Sequence, residues 1–172
     1  IATTQIRINC MKRMKNKPTV FISGSAVGFY GTSKDIIFTE KTTQPGDDFL
    51  ANVVVEWEKV ASQAEDLGVR TVYTRFGVIL GKEGALPLMS LPVKLFAGGR
   101  IGKGEQWVPW VHIDDVVNLI IFCLHNEQIN GPINVTSPHT KRNKEFPKIL
   151  ATLLKRHFWI PTPAPILRLT IC

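Results

Sequence analysis

A serine, a tyrosine and a lysine occur close together in the stretch SAVGFYGTSK, residues 25–34. A serine hydroxyl can hydrogen-bond a reacting oxygen atom. A tyrosine can transfer a proton near neutral pH if a neighbouring cation favours its ionised form, since its ordinary pKa is about 10. Tyr30 and Lys34 have the four-residue spacing that places two side chains on one face of a helix. The stretch therefore raises the hypothesis that Ser25 and Tyr30 are catalytic.

The residues between Tyr30 and Lys34 do not favour a helix. They are a glycine, a threonine and a serine, which are typical of turns, and the DIIFTE segment that follows has no helical period. We therefore expect that Tyr30 and Lys34 do not form a catalytic pair. Two structural alternatives stay open: Ser25 can be a small residue that a tight turn requires, and the ring of Tyr30 can serve in packing.

A second stretch with chemical potential is GEQWVPWVHIDD, residues 104–115. Gln106 carries an amide that donates and accepts hydrogen bonds, Trp107 and Trp110 offer stacking faces, and His112 can exchange a proton near neutral pH. These residue types suit recognition of a polar small molecule. The alternative is that the tryptophans fill a core and that His112 bonds a backbone group.

The order of strands and helices along the chain indicates the fold that must position these residues. Apolar, β-branched runs predict strands, and amphipathic runs predict helices. Strands are predicted at residues 18–25, 69–80, 107–115 and 131–138, and helices at residues 45–68, 84–99, 115–126 and 143–156. Alternation at this spacing is typical of a parallel sheet covered by helices, the doubly wound α/β class.

Polar and apolar residues predict the ends and faces of these helices. Asp47 or Asp48 is expected to cap the helix at residues 45–68, and Gly68 to end it. The apolar stripe of that helix is predicted to contain Leu50, Val53, Val54, Trp57, Val60, Ala61 and Ala64. Other predicted features are a helical face of Ile6, Cys10 and Met14, N-caps at Asp114 and Asn143, and Pro147 in a first helical turn.

Composition and charge argue against several classes of protein. The 172 residues are 44% hydrophobic and 20% charged, which is typical of a soluble globular domain. No apolar run approaches the roughly 18 residues of a membrane helix, so no membrane contact is expected. The net charge is +7, but basic residues are dense only at 12–17 and 141–144, without interleaved aromatic residues. We therefore expect a solvated basic face and no nucleic-acid partner.

The three cysteines, Cys10, Cys123 and Cys172, are far apart in the sequence and include no CxxC pair. They predict neither a disulfide framework nor a metal site. This usage of cysteine favours a reducing compartment, and we expect the protein in the cytoplasm.

Six segments together carry a family resemblance. In chain order they are ISGSAVGFYG, PGDDFLANVVVEWE, RFGVILG, GKGEQWVPWVHIDDVV, GPINVTSP and RNKEFPKILATLLKR. This series resembles the extended short-chain dehydrogenase/reductase superfamily, in the nucleoside-diphosphate-sugar epimerase-like branch that is also labelled cell-division-inhibitor-like. The resemblance runs from about residue 17 to the end. It implies a Rossmann-like doubly wound parallel sheet, an NADP or NAD cofactor, a small-molecule substrate such as a sugar nucleotide, and a homodimer as one assembly.

The resemblance also implies that the chain is the later part of a longer protein. Superfamily members open with a glycine-rich βαβ unit, and no GxGxxG or GxxGxxG follows a strand here. GGRIGKG, residues 98–104, is not a phosphate loop, because Ala97 stands where the first glycine is needed and Gly104 follows the lysine. We expect residues 1–85 to be the later part of the NAD(P)-binding domain, N-terminally truncated. Residues 86–172 are expected to be a mixed substrate-side region with a returning Rossmann strand and helix, incomplete at its C-terminal end.

The resemblance implies a role for each candidate residue. Ser25 would orient the reacting oxygen, and Tyr30 is the nearest candidate acid or base. The residues implied to contact the cofactor are Ser23, Gly24, Arg75, Phe76 and Gly77, with the last two against the nicotinamide ring. The residues implied to contact the substrate are Val78, Gln106, Trp107 and His112.

Two positions depart from the family pattern. Alignment through Trp57 and Glu58 puts Leu50 and Val54 where the superfamily has its tyrosine and lysine, and neither can transfer a proton. Val78 stands where many relatives have an asparagine that contacts the sugar. The side chains that ordinary dehydrogenase or epimerase chemistry uses are therefore replaced at these positions.

Two functions follow as alternatives. The first is an NAD(P)-dependent epimerase or oxidoreductase that acts on a sugar nucleotide or a related small molecule. The second is a non-catalytic Rossmann protein that senses a nucleotide or binds a protein partner, which the replaced tyrosine and lysine favour. A nucleic-acid binder would rest on net charge alone.

Overall fold

The computed structural model of the chain describes residues 1–95 and 103–156. It forms two compact units. Unit 1 comprises Ile1–Gly77 and Asp114–Val135, and unit 2 comprises Val78–Ile113 and the segment that starts at Thr136. The expected Rossmann-like α/β architecture with a parallel sheet is present in unit 1. The division into domains at residues 85 and 86 stays a prediction.

Unit 1 is built on a parallel sheet of three strands. They are β1 (Val20–Ala26), β2 (Arg70–Phe76) and β6 (Gly131–Val135), in the spatial order β1-β2-β6. Ser25 pairs with Arg75, and Arg75 pairs with Asn134. Since residues in register on neighbouring strands project on the same side of a sheet, these three side chains form one row. The row lies near the carboxyl end of each strand.

Helix α2 (Phe49–Ser62) covers this sheet. Asp48 is its N-cap and accepts a hydrogen bond from the Ala51 backbone N–H at 2.8 Å, so the predicted capping by Asp48 is confirmed. The buried residues of α2 are Ala51, Val54 and Ala61. Leu50 is 64% exposed and Val53 is 37% exposed, so their predicted place in the buried stripe was wrong. Val54, Ala61 and Ala64 of the predicted stripe are buried, so that part of the prediction is confirmed. The buried face of α2 lies on the side of the stripe that is next to Ala51.

A left-handed glycine follows α2. A short 3-10 helix, Glu65–Leu67, ends at Gly68, which has φ +74°. A side chain is disfavoured at this backbone angle, so glycine is required there. The prediction that Gly68 ends the helical segment is confirmed, although α2 itself ends earlier, at Ser62.

Helix α1 (Ala2–Arg13) also belongs to unit 1. It buries Thr4, Ile8 and Met11, and the last two pack against Ala64 and Val69. The predicted helix is present at Ile6 and Cys10, but this face is not buried: Ile6 is 63% exposed, Cys10 is exposed, and Met14 lies beyond the helix in extended backbone. Periodicity found the helix, but both stripes have helical spacing, and tertiary packing selected the other one.

The predicted strand at residues 69–80 is two strands in different units. Strand β2 ends at Phe76, and β3 (Val78–Leu80) pairs in parallel with β5 (Trp110–His112). The Gly77 N–H donates to the Val135 carbonyl at 3.2 Å, whereas the Val78 N–H donates to the Pro109 carbonyl at 2.8 Å. The single-strand prediction was wrong because successive backbone groups at this point bond to different neighbours.

Unit 2 combines the β3-β5 pair with an antiparallel pair of β4 (Trp107–Val108) and β7 (Lys141–Arg142). Its helices are α3 (Ala85–Lys94) and α5 (Phe146–Leu153). Its core contains Leu80, Val93, Phe146, Leu150 and Ala151. Pro147 lies in the first turn of α5, as predicted.

Two predicted helix caps were wrong. Asn143 does not cap α5, because the N-cap position is Glu145 and the Asn143 N–H is bound to the Gln106 carbonyl at 2.8 Å. Asp114 does not precede helix α4 (Ile113–His125), since that helix begins one residue earlier. Asp114 instead lies in the first turn, where a carboxylate is stabilised by the helix dipole. Within the described residues, no helix combines the length and apolar character that crossing a membrane requires.

Candidate functional site

Arg75 is the centre of a buried hydrogen-bonded cluster in unit 1. Its Nε atom donates to Glu58 Oε1 at 2.8 Å, and its Nη2 atom donates to Glu58 Oε2 at 2.7 Å. Its Nη1 atom donates to the Tyr30 hydroxyl at 2.9 Å. The Arg75 side chain is 4% exposed and that of Glu58 is 13% exposed. The two-point geometry is the strong form of an arginine–carboxylate pair.

The surroundings of Arg75 keep its guanidinium charged. Burial by itself lowers the pKa of Arg75, but hydrogen bonds to Glu58 and Tyr30 and the charge of Glu58 outweigh it and hold the pKa above its ordinary value. The Phe29 ring adds a cation–π contact, with its centroid 3.5 Å from the guanidinium carbon. A permanent positive charge therefore lies at the carboxyl end of the sheet.

Both predicted catalytic residues join this cluster. The Ser25 hydroxyl donates to Glu58 Oε1 at 2.5 Å. The Tyr30 hydroxyl donates to Asn134 Oδ1 at 2.8 Å while it accepts from Arg75. Ser25 is 4% exposed and Tyr30 is 6% exposed. The cluster thus contains one side chain from each of the strands β1, β2 and β6 and one from helix α2. The turn after β1 adds Tyr30.

Tyr30 and Lys34 are not joined by a helix, as expected. Tyr30 ends a short 3-10 helix, Val27–Tyr30, and Gly31 follows with φ +69°. Lys34 lies in an exposed part of the loop beyond. The Tyr30 ring packs instead in parallel with Phe38, at a centroid distance of 5.2 Å, and edge-on against Phe29. The packing alternative for this ring is therefore part of its role.

The loop at residues 31–48 is tied to the 3-10 helix after β1 and to strand β6. The Gly46 N–H donates to the Phe29 carbonyl at 2.9 Å, and the Asn134 N–H donates to Glu40 Oε1 at 2.8 Å. A Cβ atom on Gly46 would lie 2.6 Å from the Gly31 Cα atom, which is closer than such atoms approach. The two glycines therefore allow the ends of the loop to meet.

The other predicted cofactor residues lie along the same strand ends. Ser23 is buried two residues before Ser25, and its hydroxyl is 3.4 Å from the Gly24 carbonyl. A Cβ atom on Gly24 would be 3.8 Å from the side chains of Phe76 and Trp57. Phe76 is half-buried at the last position of β2. Hydroxyl, amide and aromatic groups at the carboxyl end of a parallel sheet fit a nicotinamide nucleotide in their chemistry.

The four predicted substrate residues all lie in unit 2. Val78 pairs with Trp110, and His112 is an exposed residue at the end of β5. Gln106 is exposed, and its carbonyl group accepts a hydrogen bond from the N–H of Asn143, the residue after β7. The indole of Trp107 is 42% exposed, whereas Trp110 packs against the core of unit 2. The core-filling alternative therefore applies to Trp110 and not to Trp107.

A charged side chain that belongs to a small ionic network lies over Trp107. The guanidinium carbon of Arg142 lies 4.3 Å from the centroid of its ring. Arg142 also donates to the Glu105 carbonyl at 2.7 Å, and Lys144 Nζ donates to Glu105 Oε1 at 3.0 Å. Part of the dense basic segment at 141–144 is thus neutralised by Glu105. Among the described residues, no group of His, Cys, Asp or Glu is arranged to hold a metal ion.

Glu58, Asn134 and Phe29 were not predicted from the sequence to belong to this hydrogen-bonded cluster. A signal for Glu58 existed: it is spaced four residues from Val54 and three from Ala61, on the face that α2 buries. An acidic residue on a buried helical face requires a partner. For Asn134 and Phe29 the linear sequence carried no comparable signal, since their roles depend on the pairing of β6 and on the path of the turn.

Comparisons with known proteins agree with this architecture. The model of the NAD dependent epimerase/dehydratase family matches residues 2–136. The epimerase family protein YfhF of Bacillus subtilis is 44% identical over 162 residues, which are 94% of this chain and 53% of that protein. The chain spans about half the length of the curated relatives it matches.

Two solved structures are similar to this chain. Human epimerase family protein SDR39U1 (isoform 2), crystallised with NADPH, has a TM-score of 0.87 at 30% identity, over 98% of this chain and 57% of that chain. The nucleoside-diphosphate sugar epimerase of Corynebacterium glutamicum has a TM-score of 0.79 at 36% identity, over 98% of this chain and 37% of that chain. The resemblance to the extended short-chain dehydrogenase/reductase superfamily, in its sugar-epimerase-like branch, is confirmed. By its sequence, its parallel sheet and its relatives, this chain belongs to the NAD dependent epimerase/dehydratase family.

Proposed function

We propose that the full protein binds NADP(H) and acts as an epimerase or reductase on a small polar substrate, such as a sugar nucleotide. The observation that carries this proposal is the row of Ser25, Arg75 and Asn134 across the carboxyl end of the parallel sheet. In open α/β sheets this end is where nucleotide ligands bind. A further support is that the similar human protein was crystallised with NADPH.

The proposed roles follow the position of each residue. Ser23, Gly24, Phe76 and Gly77 would line the cofactor, with the aromatic face of Phe76 against the nicotinamide. A bound nicotinamide would supply or accept the hydride. Arg75 would support the site through Glu58 and Tyr30, since it donates hydrogen bonds to both of these side chains inside the protein.

Substrate recognition is proposed for unit 2. Trp107 offers an exposed ring on which a planar or sugar group can stack, and Arg142 lies over one face of it. Gln106 and His112 are exposed polar residues nearby in the sequence, and Val78 would add an apolar contact. We also propose that the domains divide between residues 85 and 86, that the protein is located in the cytoplasm and that it forms a homodimer.

A non-catalytic protein that senses a nucleotide or binds a partner is the second candidate. One observation favours it: the hydroxyl hydrogens of Ser25 and Tyr30 are both donated to acceptors inside the protein. In addition, Leu50 occupies the position of the superfamily's tyrosine and is 64% exposed. A site with no proton to transfer would bind a nucleotide without turning over a substrate.

Fluorescence titration of NADPH and NADH into the full-length protein tests the first proposal. Saturable binding that is weakened by substitution of Gly24 or Phe76 would support a cofactor site. A change in absorbance at about 340 nm after addition of a sugar nucleotide would then support the enzyme. Saturable binding without turnover would favour the sensor. Absence of binding to a folded protein would overturn both nucleotide-dependent functions and leave partner binding.

A further inference from the structure

Glu58 connects the predicted catalytic residues through two different contacts. Its Oε1 atom accepts a hydrogen bond from Ser25 at 2.5 Å, and both of its oxygens bind Arg75, which in turn bonds Tyr30. We propose that Glu58 is a positioning residue that fixes the direction of the Ser25 hydroxyl. Ser25 then presents an acceptor oxygen, and not a proton, to the substrate. This inference rests on the proposed function, in which a substrate oxygen approaches Ser25.

The direction of the Ser25 hydroxyl follows from the number of donor hydrogens and acceptor lone pairs on each group. A serine hydroxyl has one hydrogen and two acceptor lone pairs. Glu58 is ion-paired with Arg75, and an ionised carboxylate only accepts. The oxygen–oxygen distance of 2.5 Å is typical of a charge-assisted hydrogen bond. The single hydrogen of Ser25 therefore lies towards Glu58, and its lone pairs face elsewhere.

Glu58 has little freedom to follow a substrate. Its partner Arg75 is 4% exposed and lies under the Phe29 ring. A movement of the carboxylate would leave the guanidinium charge buried without its counter-ion, which is strongly unfavourable. Ser25 is also 4% exposed, so water offers no replacement for Glu58 as acceptor. The direction of the hydroxyl is thus a fixed property of the folded site.

Tyr30 is constrained by the same pair. An arginine side chain can only donate, so the Tyr30 oxygen accepts from Arg75 and its own hydrogen goes to Asn134 Oδ1, at 2.8 Å. Neither hydroxyl has a hydrogen left for a carbonyl oxygen. A substrate oxygen that reaches Ser25 must therefore bring its own hydrogen. Ser25 therefore recognises the alcohol form of a substrate that is converted between an alcohol and a ketone. The cofactor that reacts with the alcohol form is the oxidised nicotinamide.

Neutron diffraction of the full-length protein after exchange into D2O tests the direction directly. The expected result is deuterium on the line between Ser25 Oγ and Glu58 Oε1. A deuterium that points away from Glu58 would overturn the proposal. This readout does not need a substrate. A protein that shows the expected deuterium and binds no NADPH would refute the proposed function and leave the positioning role of Glu58 standing.

Ligand preference provides a second test on the full-length protein. UDP-glucose is titrated in the presence of NADPH, and its 4-keto derivative in the presence of NADP+, because neither combination can react. We expect Ser25→Ala to weaken the hydroxyl ligand by about tenfold and to leave the keto ligand unchanged, since only the hydroxyl donates to Ser25. A loss confined to the keto ligand would overturn the proposal.

A variant without the Glu58–Arg75 ion pair provides a third test of the positioning role. In the double variant Glu58→Leu/Arg75→Met, apolar residues of similar length replace both charges, and such replacements are often tolerated. Ser25 is then free to rotate, so the ratio of keto to hydroxyl affinity should rise by about tenfold. The matched control is Glu56→Leu/Lys59→Met, which removes an exposed ion pair of the same helix. An equal change of ratio in both double variants would contradict a specific role for Glu58.

Discussion

The Arg75 guanidinium and the Glu58 carboxylate form a two-point ion pair, with nitrogen–oxygen distances of 2.8 and 2.7 Å. Arg75 lies on the central strand β2, and Glu58 lies on helix α2, which covers the sheet. Arg75 is buried and Glu58 is largely shielded from solvent, and the pair is bonded to both Ser25 and Tyr30. It therefore serves two purposes: it joins a helix to the sheet, and it determines where two hydroxyl hydrogens are directed.

Glu58→Gln is expected to lower the free energy of unfolding by about 3–5 kcal/mol, because it leaves the buried charge of Arg75 without a counter-ion. Urea denaturation of the full-length protein measures this. The matched control is Glu56→Gln on the same helix, whose carboxylate is 57% exposed and pairs with Lys59 at 3.7 Å. It should change the free energy by no more than about 0.5 kcal/mol. Equal effects of the two variants would show that the Arg75–Glu58 pair contributes no more than a surface pair.

Tyr30→Phe should cost about 1–3 kcal/mol of stability, since it leaves a donor of Arg75 and the oxygen of Asn134 without their shared partner. The ring contacts with Phe29 and Phe38 are kept in this variant. Tyr30→Ala removes them as well and should cost about 3–5 kcal/mol. The comparison separates the hydroxyl from the ring. If both variants lose the same free energy, the ring contributes nothing to stability.

Gly46→Ala should destabilise the protein by about 1–3 kcal/mol, because its Cβ atom would meet backbone atoms of Gly31 that cannot rotate away. The nearest of these would be 2.6 and 2.7 Å distant. Gly28→Ala is the control, since its Cβ atom would be in ordinary contact with Leu50 and Val54, at 3.8 and 4.0 Å. Thermal unfolding of the two variants measures the difference. A Gly46 variant as stable as the Gly28 variant would disprove the close approach of the loop ends.

The stability of the protein should fall at alkaline pH through Tyr73. Burial, a hydrogen bond of 2.6 Å to Glu65 and the charges of Glu65 and Glu58 raise the pKa of Tyr73 well above its ordinary value. The folded state therefore keeps the phenol proton at a pH where the unfolded state loses it. The contribution of Tyr73 to stability is complete below pH of about 10 and decreases as the pH rises towards the folded-state pKa.

Tyr73→Phe is the variant that measures this pH dependence. Its free energy of unfolding should fall less steeply than that of the wild type between pH of about 9.5 and 11.5. The difference between the two proteins should thus shrink as the pH rises. A constant difference across this range would mean that Tyr73 has the same pKa in the folded and unfolded states.

Several local features could be predicted from the sequence. The alternation of strand-like and helix-like segments predicted a parallel α/β sheet, the cap of α2 was predicted at Asp47 or Asp48, and Pro147 was placed in a first turn. The break between Tyr30 and Lys34 was also predicted, because glycine and short polar residues favour turns. The cap, the proline position and the turn depend on a residue and its immediate neighbours, and the class of sheet follows from the order of segments along the chain.

The errors have a common physical origin. On α1 the buried face is Thr4, Ile8 and Met11, although Ile6, Cys10 and Met14 also have a helical spacing. The predicted strand at 69–80 divides at Gly77, because the backbone groups on its two sides find different partners. Local periodicity defines possible faces and segments, but the choice among them depends on elements that are distant in sequence.

By itself the sequence determined the class of fold, the family and the residue types available at the strand ends, since these follow from periodicity, turn chemistry and shared motifs. Only the tertiary structure decided which of those residues meet. Ser25, Arg75 and Asn134 form a row because of strand register, and Glu58 reaches them because α2 buries the side of its apolar stripe that carries Val54 and Ala61. Register and helix rotation arise from the packing of distant segments, and a buried carboxylate acquires its function only from the donors that this packing places around it.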